Sequence, residues 1–357
     1  MMTPLENFLA TVEHRRPGRI MYHAGFTPDL QRRVQEHVGD GKDIGEYFGF
    51  DKSASAGMRR PENLPKLDFS KYWENEKLPD GATIDGKGMA MVPGSMYHFA
   101  HYVSPLRNAA SLAEIENYPM DDMTEWDTSH LAPEVEKAHA AGLPVQAWVG
   151  HMYENAWQIR GYEPFLMDII DRPAWSDCLL ERYARQNMIA AVAYATAGVD
   201  WIACGDDVAS QNALMFSPTV WRKMFHAKWA RIWAEVKGIN PACRIWYHSD
   251  GNITEIIPDL VAAGVDILNP VQPECMDTDA IHRKFGKRLT FDGTIGTQST
   301  MPWGTPDDVR ERVKYVIRKY GRNGGLIVSP THVLEPEVPI ANLEAMCQAC
   351  RDFGTFE

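Results

Sequence analysis

Residues 245–260, "IWYHSDGNITEIIPDL", carry the pattern that organises the rest of the chain. Ile245 to Tyr247 form an apolar run of the kind a strand buried on both faces of a parallel sheet needs. The run breaks off in His248-Ser249-Asp250-Gly251-Asn252, and an amphipathic helix pattern follows. Working outward, the same unit recurs. "VQAWVGH" (145–151) leads into a helix from about Glu154, and "VDWIACGDD" (199–207) leads through a loop to a helix capped by Ser217 and opened by Pro218. "VDILNPVQP" (265–273), "RLTFDGTIG" (288–296) and "GGLIVSPTH" (324–332) each precede a further helix pattern. Near the start, "RIMYHAGF" (19–26) reads as a first strand, followed by a less regular stretch to about Arg107.

Strands alternating with helices at this spacing predict βαβ units and a parallel sheet. Six units after Val145, with the early strand and its irregular continuation, fit a (β/α)8 TIM barrel with N-terminal insertions, a single domain over residues 1–357. The rival, an open doubly wound sheet, lacks its usual G-x-G-x-x-G after the first strand.

Composition narrows the function. The 357 residues are 45% hydrophobic and 24% charged, with a net charge of -12. That acidity argues against a nucleic-acid or anionic-membrane partner. No apolar stretch approaches the roughly 20 residues that span a bilayer, and the first residues lack the apolar core of a signal peptide. A cytoplasmic protein is expected. The six cysteines show no disulfide framework, and Cys347 and Cys350 lie on a terminal helix pattern as packing residues.

In a barrel, active-site residues stand where strands end and βα loops begin. Those positions hold His23, His151 with Glu154, Asp206 and Asp207, His248 and Asp250, Asn269 with Gln272, Asp292, and His332. Each has an ordinary reading: one of the two aspartates as a helix cap, Asn269-Pro270 as a turn, and any lone histidine as a structural residue. The His248-x-Asp250 pair is more specific, because two residues of the same facing at a strand end share one mouth.

The ordered run from "YHSDGNITEIIPDLVAAGVDILNPVQPECMD" through "FGKRLTFDGTIGTQSTMPWGTPDDVRERV" to "GGLIVSPTHVLEPEVPIANLEAM" resembles the uroporphyrinogen decarboxylase superfamily, and within it the cobalamin-dependent methyltransferases and O-demethylases. The resemblance covers about Trp148 to Asn342. It implies a (β/α)8 barrel and, in the thiol-activating members, a zinc held by His-x-Cys and a late Cys. Here the matching positions are His248, Asp250 and His332, so nitrogen and oxygen donors replace both thiolates, a set that still suits a catalytic zinc. The arginine-containing motif that clamps carboxylates in true tetrapyrrole decarboxylases is replaced by Tyr22-His23-Ala24-Gly25-Phe26.

These readings combine into one expectation: a metal-dependent methyltransferase moving a methyl group from a small methylated donor, such as a methoxyaromatic, to a corrinoid (cobalamin) on a partner protein. Zinc falls to His248, Asp250 and His332, and proton donation to Glu154 or Asp207, with His248 also catalytic. Substrate contacts fall to His23, Phe26, Tyr97, Trp148, Tyr153, Asn269 and Gln272. The alternative is a lyase or decarboxylase acting on a tetrapyrrole or other small acid; a homodimer stays open.

Overall fold

The computed structural model describes residues 2–92 and 101–356. Tyr97, among the expected substrate contacts, lies outside them. Eight parallel strands form the frame: β1 Met21–Tyr22, β2 Ala54–Ala56, β3 Val145–Gly150, β4 Trp201–Gly205, β5 Arg244–His248, β6 Ile267–Asn269, β7 Thr290–Asp292 and β8 Leu326–Val328. From β2 to β8 each strand pairs with its sequence neighbours, and β8 returns to β1. The seam between β1 and β2 is joined by the Asp51 N–H, which donates to the Tyr22 carbonyl at 3.0 Å, and by the Tyr22 N–H, which donates to the Asp51 carboxylate at 2.9 Å. Helices surround the sheet, so the fold is the (β/α)8 barrel that the alternating pattern predicts.

Strand β5 shows how the sequence builds this frame. Ile245 and Tyr247 are fully buried against the helix layer, where Tyr247 meets Trp229 and Trp233 edge-on. Burying a large apolar side chain of this kind contributes about 1.5–3 kcal/mol. Trp246 and His248 alternate to the barrel interior. Register then sets the mouth, since Gly205 pairs with His248 and His248 with Asn269, placing three strand ends at one level. Glycine is required at 205. A Cβ there would stand 2.3 Å from the His248 carbonyl oxygen.

The barrel floor is closed by the helix Pro4–Val12, which is started by a Thr3–Glu6 capping box. Its Phe8 ring lies 4.6 Å from that of Trp201 and packs with Met21, Ile267 and Ile327. The insertion expected in the early chain falls between β2 and β3. It includes a small antiparallel sheet, Thr83–Ile84, Ala90–Val92 and His101–Val103. No helix among the described residues is long and apolar enough to cross a membrane.

Candidate active site

Two groups of metal-capable side chains stand side by side at the mouth. The first is Asp207, His248 and Asp250, whose donor atoms lie within 4.8 Å of one another. His248 is held from behind: its Nδ1 is 2.7 Å from the Asn269 side-chain oxygen, while the Asn269 amide nitrogen donates to the Asp292 carbonyl at 3.2 Å. An amide oxygen only accepts, so the His248 proton sits on Nδ1 and the Nε2 lone pair is left to face Asp207 Oδ1 at 3.5 Å. Asp207 Oδ1 in turn accepts the Asp250 N–H at 2.9 Å. Burial pushes the Asp250 carboxyl above its ordinary range, with His248 and His332 pulling it down and Asp207 pushing it up. Its Oδ1 is buried without a hydrogen-bond partner.

The loop carrying Asp250 is fixed by backbone constraints. Gly251 has φ 85°, and a Cβ there would lie 2.4 Å from the Ser210 carbonyl. Its N–H donates to the Gln272 side-chain oxygen at 2.6 Å. Gln272 and Asn269, expected as substrate contacts, are both committed here to holding this loop and His248. His332 Nε2 lies 4.0 Å from Asp250 Oδ2, beside the cluster.

The second group is His151, Glu154 and Asp206. Asp206 is fully buried and accepts three N–H bonds: from the backbones of Met152 and Tyr153 and from the Trp229 indole, each at 2.7 Å. Glu154 Oε1 accepts the Asp207 N–H at 2.5 Å, and its Oε2 is buried without a partner. Burial pushes the Glu154 carboxyl up to about 7, with a bond to Asp206 opposing and the Asp207 charge adding to the rise. Asp206 is also pushed well up, by burial and then by Glu154. Two carboxyls this close hold one proton between them. Three donors on Asp206 favour the anion there, while the bond between the two carboxyls raises Asp206 and lowers Glu154, so the proton is shared by the pair.

Beneath the mouth, the barrel encloses a cavity of about 390 Å³ lined by Trp148, Trp201, Trp246, His23 and Asp292. Such interiors are ordinarily filled by side chains; a void of this size accommodates a small molecule. Trp148 is 45% exposed within it. Trp246 stacks with His248 at 5.8 Å and donates its indole N–H to Asp292 Oδ2 at 2.8 Å. The other Asp292 oxygen takes the Ser329 hydroxyl at 2.7 Å and meets His23 Nε2 at 3.1 Å.

Of the remaining expected contacts, one faces the helix layer and the other packs beside the loop after β8. Tyr153 is buried among Phe165, Phe216 and Phe225 in the helix layer. Phe26 packs near Phe50 and bridges to Leu334 on the loop after β8. Trp246, by contrast, organises the site without having been singled out beforehand, and Asp206 was marked only as a strand-end residue. The alternation that put His248 inside the barrel also puts Trp246 there, which is a readable signal. Nothing local marks Trp229 as the partner of Asp206.

The donor set fits a zinc ion. One imidazole nitrogen with a free lone pair, two carboxylates, an orphaned buried oxygen and an oriented second-sphere amide are the features such a centre uses.

A methyltransferase from Methanosarcina mazei matches over 99% of both chains, with a TM-score of 0.68 and 15% identity, and shares the fold. The catalytic core of xylanase A aligns over 65% of this chain and 84% of its own, at 10% identity and a TM-score of 0.37, too low to carry any inference. No curated protein matches in sequence. The family model described as uroporphyrinogen decarboxylase (URO-D) matches residues 88–353, a span that takes in β3 to β8 and every group at the mouth except His23, and the chain therefore belongs to that family.

Proposed function

We propose that this protein is a metal-dependent methyltransferase that takes a methyl group from a small methylated donor and passes it to a corrinoid carried by a partner protein. The observation that carries this reading is the Asp207–His248–Asp250 cluster standing next to the buried carboxyl pair Glu154–Asp206, both raised by burial, above an indole-lined cavity. The M. mazei neighbour, itself named a methyltransferase, is consistent with it.

Asp207, His248 and Asp250 would hold the metal, with His332 beside Asp250. A zinc ion bound there supplies Lewis acidity towards the oxygen from which the methyl group departs. Asn269 keeps the His248 lone pair aimed at the cluster. Glu154 delivers the proton shared with Asp206 to the departing oxygen, from a carboxyl already shielded from bulk water. Trp148 and Trp246 wall the space beneath and exclude water from one side. A methoxyaromatic donor suits these walls, since a ring can pack against indole faces.

The test mixes the protein with a reduced corrinoid carrier and a panel of methoxyaromatics, methylamines and methyl thioethers. Alkylation of the corrinoid, followed by its absorbance change, is expected for one class. Release of carbon dioxide from a tetrapyrrole or another acid, with no donor alkylating the corrinoid, would assign the protein to the carboxy-lyases instead. The segment after β1 disfavours that outcome, because Tyr22 to Phe26 contains no arginine to pair with a polycarboxylate.

A further inference from the structure

A second cavity, of about 270 Å³, lies on the other side of β3, between the end of that strand, the helix Pro173–Ala197 and the insertion. Its walls include Val149, Trp126 and Tyr183, and its polar groups include Lys87, Asn155 and Asn187, with Gln186 and Asp121 beside them. Lys87 stands at an exposed rim and donates to the Asn155 side-chain oxygen at 2.5 Å. It makes no ion pair with a carboxylate among the described residues. Asp85, two residues away, is turned to the backbone, where its Oδ1 accepts the Lys87 and Met89 N–H groups at 2.9 Å. Asp121, the acid in the cavity wall, is paired with Arg60 at 3.0 Å. Asn187 is only 4% exposed, and its amide nitrogen has no hydrogen-bond partner.

A buried amide N–H without an acceptor is costly, and the great majority of such groups are satisfied. Here one adjoins a cavity whose rim carries a cation in no direct ion pair among the described residues, with burial disfavouring its charge and Asp85 acting on it only from a distance. Apolar and aromatic walls complete the chemistry. We propose that this cavity binds a small carboxylate with an apolar body, its oxygens shared between the Lys87 ammonium and the Asn187 amide. The site is separate from the Asp207–His248–Asp250 cluster and does not depend on the methyl-transfer reading. It is coupled to the mouth by a short path, because the Asn155 amide nitrogen donates to the His151 carbonyl at 2.6 Å. A ligand that draws Lys87 off Asn155 therefore bears on the segment that carries His151 and Glu154.

Benzoate titrated into the full chain, with binding followed by calorimetry and ligand-observed NMR, tests this directly. Saturable binding is expected. Lys87→Met should weaken it at least about tenfold, the size of one charge-assisted hydrogen bond, and Lys87→Arg should restore most of it. Asn187→Asp, which replaces the donor by a repelling oxygen, should weaken it comparably, with the unfolding temperature showing that the fold is kept. His248→Ala should leave benzoate affinity unchanged, separating this site from the metal-capable cluster. Absence of saturable binding up to roughly 1 mM overturns the proposal. So does binding that survives Lys87→Met or disappears with His248→Ala.

Discussion

His248 and Asn269 sit at one register level on adjacent strands, and the 2.7 Å contact between His248 Nδ1 and the Asn269 oxygen sets which imidazole nitrogen faces the mouth. Removing that oxygen frees the ring to rotate and to change tautomer. Asn269→Leu should therefore lower zinc affinity by about 10–100-fold, the usual cost of losing an outer partner of a ligating histidine. Competition with a chromophoric chelator measures it. Unchanged affinity would mean that His248 is not a ligand.

The ligand set can be ranked by single substitutions. Asp207 and Asp250 share the cluster with His248, whereas His332 approaches Asp250 at 4.0 Å from its side. Asp207→Asn and Asp250→Asn are expected to leave purified protein with clearly less than one zinc per chain, and His332→Ala to retain more. Metal analysis after dialysis decides the order. Should His332→Ala lose the metal while Asp207→Asn keeps it, His332 and not Asp207 completes the set.

Glu154→Gln keeps the shape of the side chain and its contact with the Asp207 N–H but removes the transferable proton. The variant should lose about 10²–10⁴-fold in kcat, the range for general acid catalysis, with zinc content unchanged. Relieving the crowding of two buried carboxyls should leave its unfolding temperature equal to wild type or higher. A full-rate Glu154→Gln enzyme would remove this residue from the chemistry.

Much of the frame was legible because it repeats. Six apolar runs ending in polar residues after Val145 became β3 to β8, and their ends became the mouth. Cys347 and Cys350 are buried on the helix Ile340–Phe353, as a packing role requires. The early chain was harder to read. Strand β2 is only Ala54-Ser55-Ala56, with no large apolar side chain to mark it, and the antiparallel sheet of the insertion rests on three short strands. Side-chain roles were legible only where strand periodicity dictates them. His248 and Trp246 share a facing that can be counted. Tyr153, which opens a helix just past β3, is rotated by that helix into an aromatic cluster drawn from three other segments. The bond from Trp229 to Asp206 spans 23 residues, and only the packed structure reveals it.

The pair His23–Asp292 gives the protein a predictable pH signature. Burial works against a charged His23 ring, but the Asp292 carboxylate outweighs it and raises the pKa above the ordinary 6.5. Burial works against a charged Asp292 as well, yet His23, with bonds from Trp246 and Ser329, holds it below the ordinary 3.8. The signs follow from linkage. The histidine's share of stability is fully present below pH 6.5 and is lost as pH rises through its raised value; the aspartate's is present above 3.8 and is lost as pH falls through its lowered value. The joint contribution is therefore greatest between 3.8 and 6.5 and fades on the alkaline side. His23 is 47% exposed along its side chain, so solvent screens the pair and the effect is modest. Thermal unfolding of wild type and His23→Gln across this range checks it. The difference in unfolding temperature should be widest near pH 5 to 6 and narrow steadily towards pH 9. A difference that is constant over the whole range would show that the ring contributes by packing alone, without the charge that Asp292 is placed to stabilise.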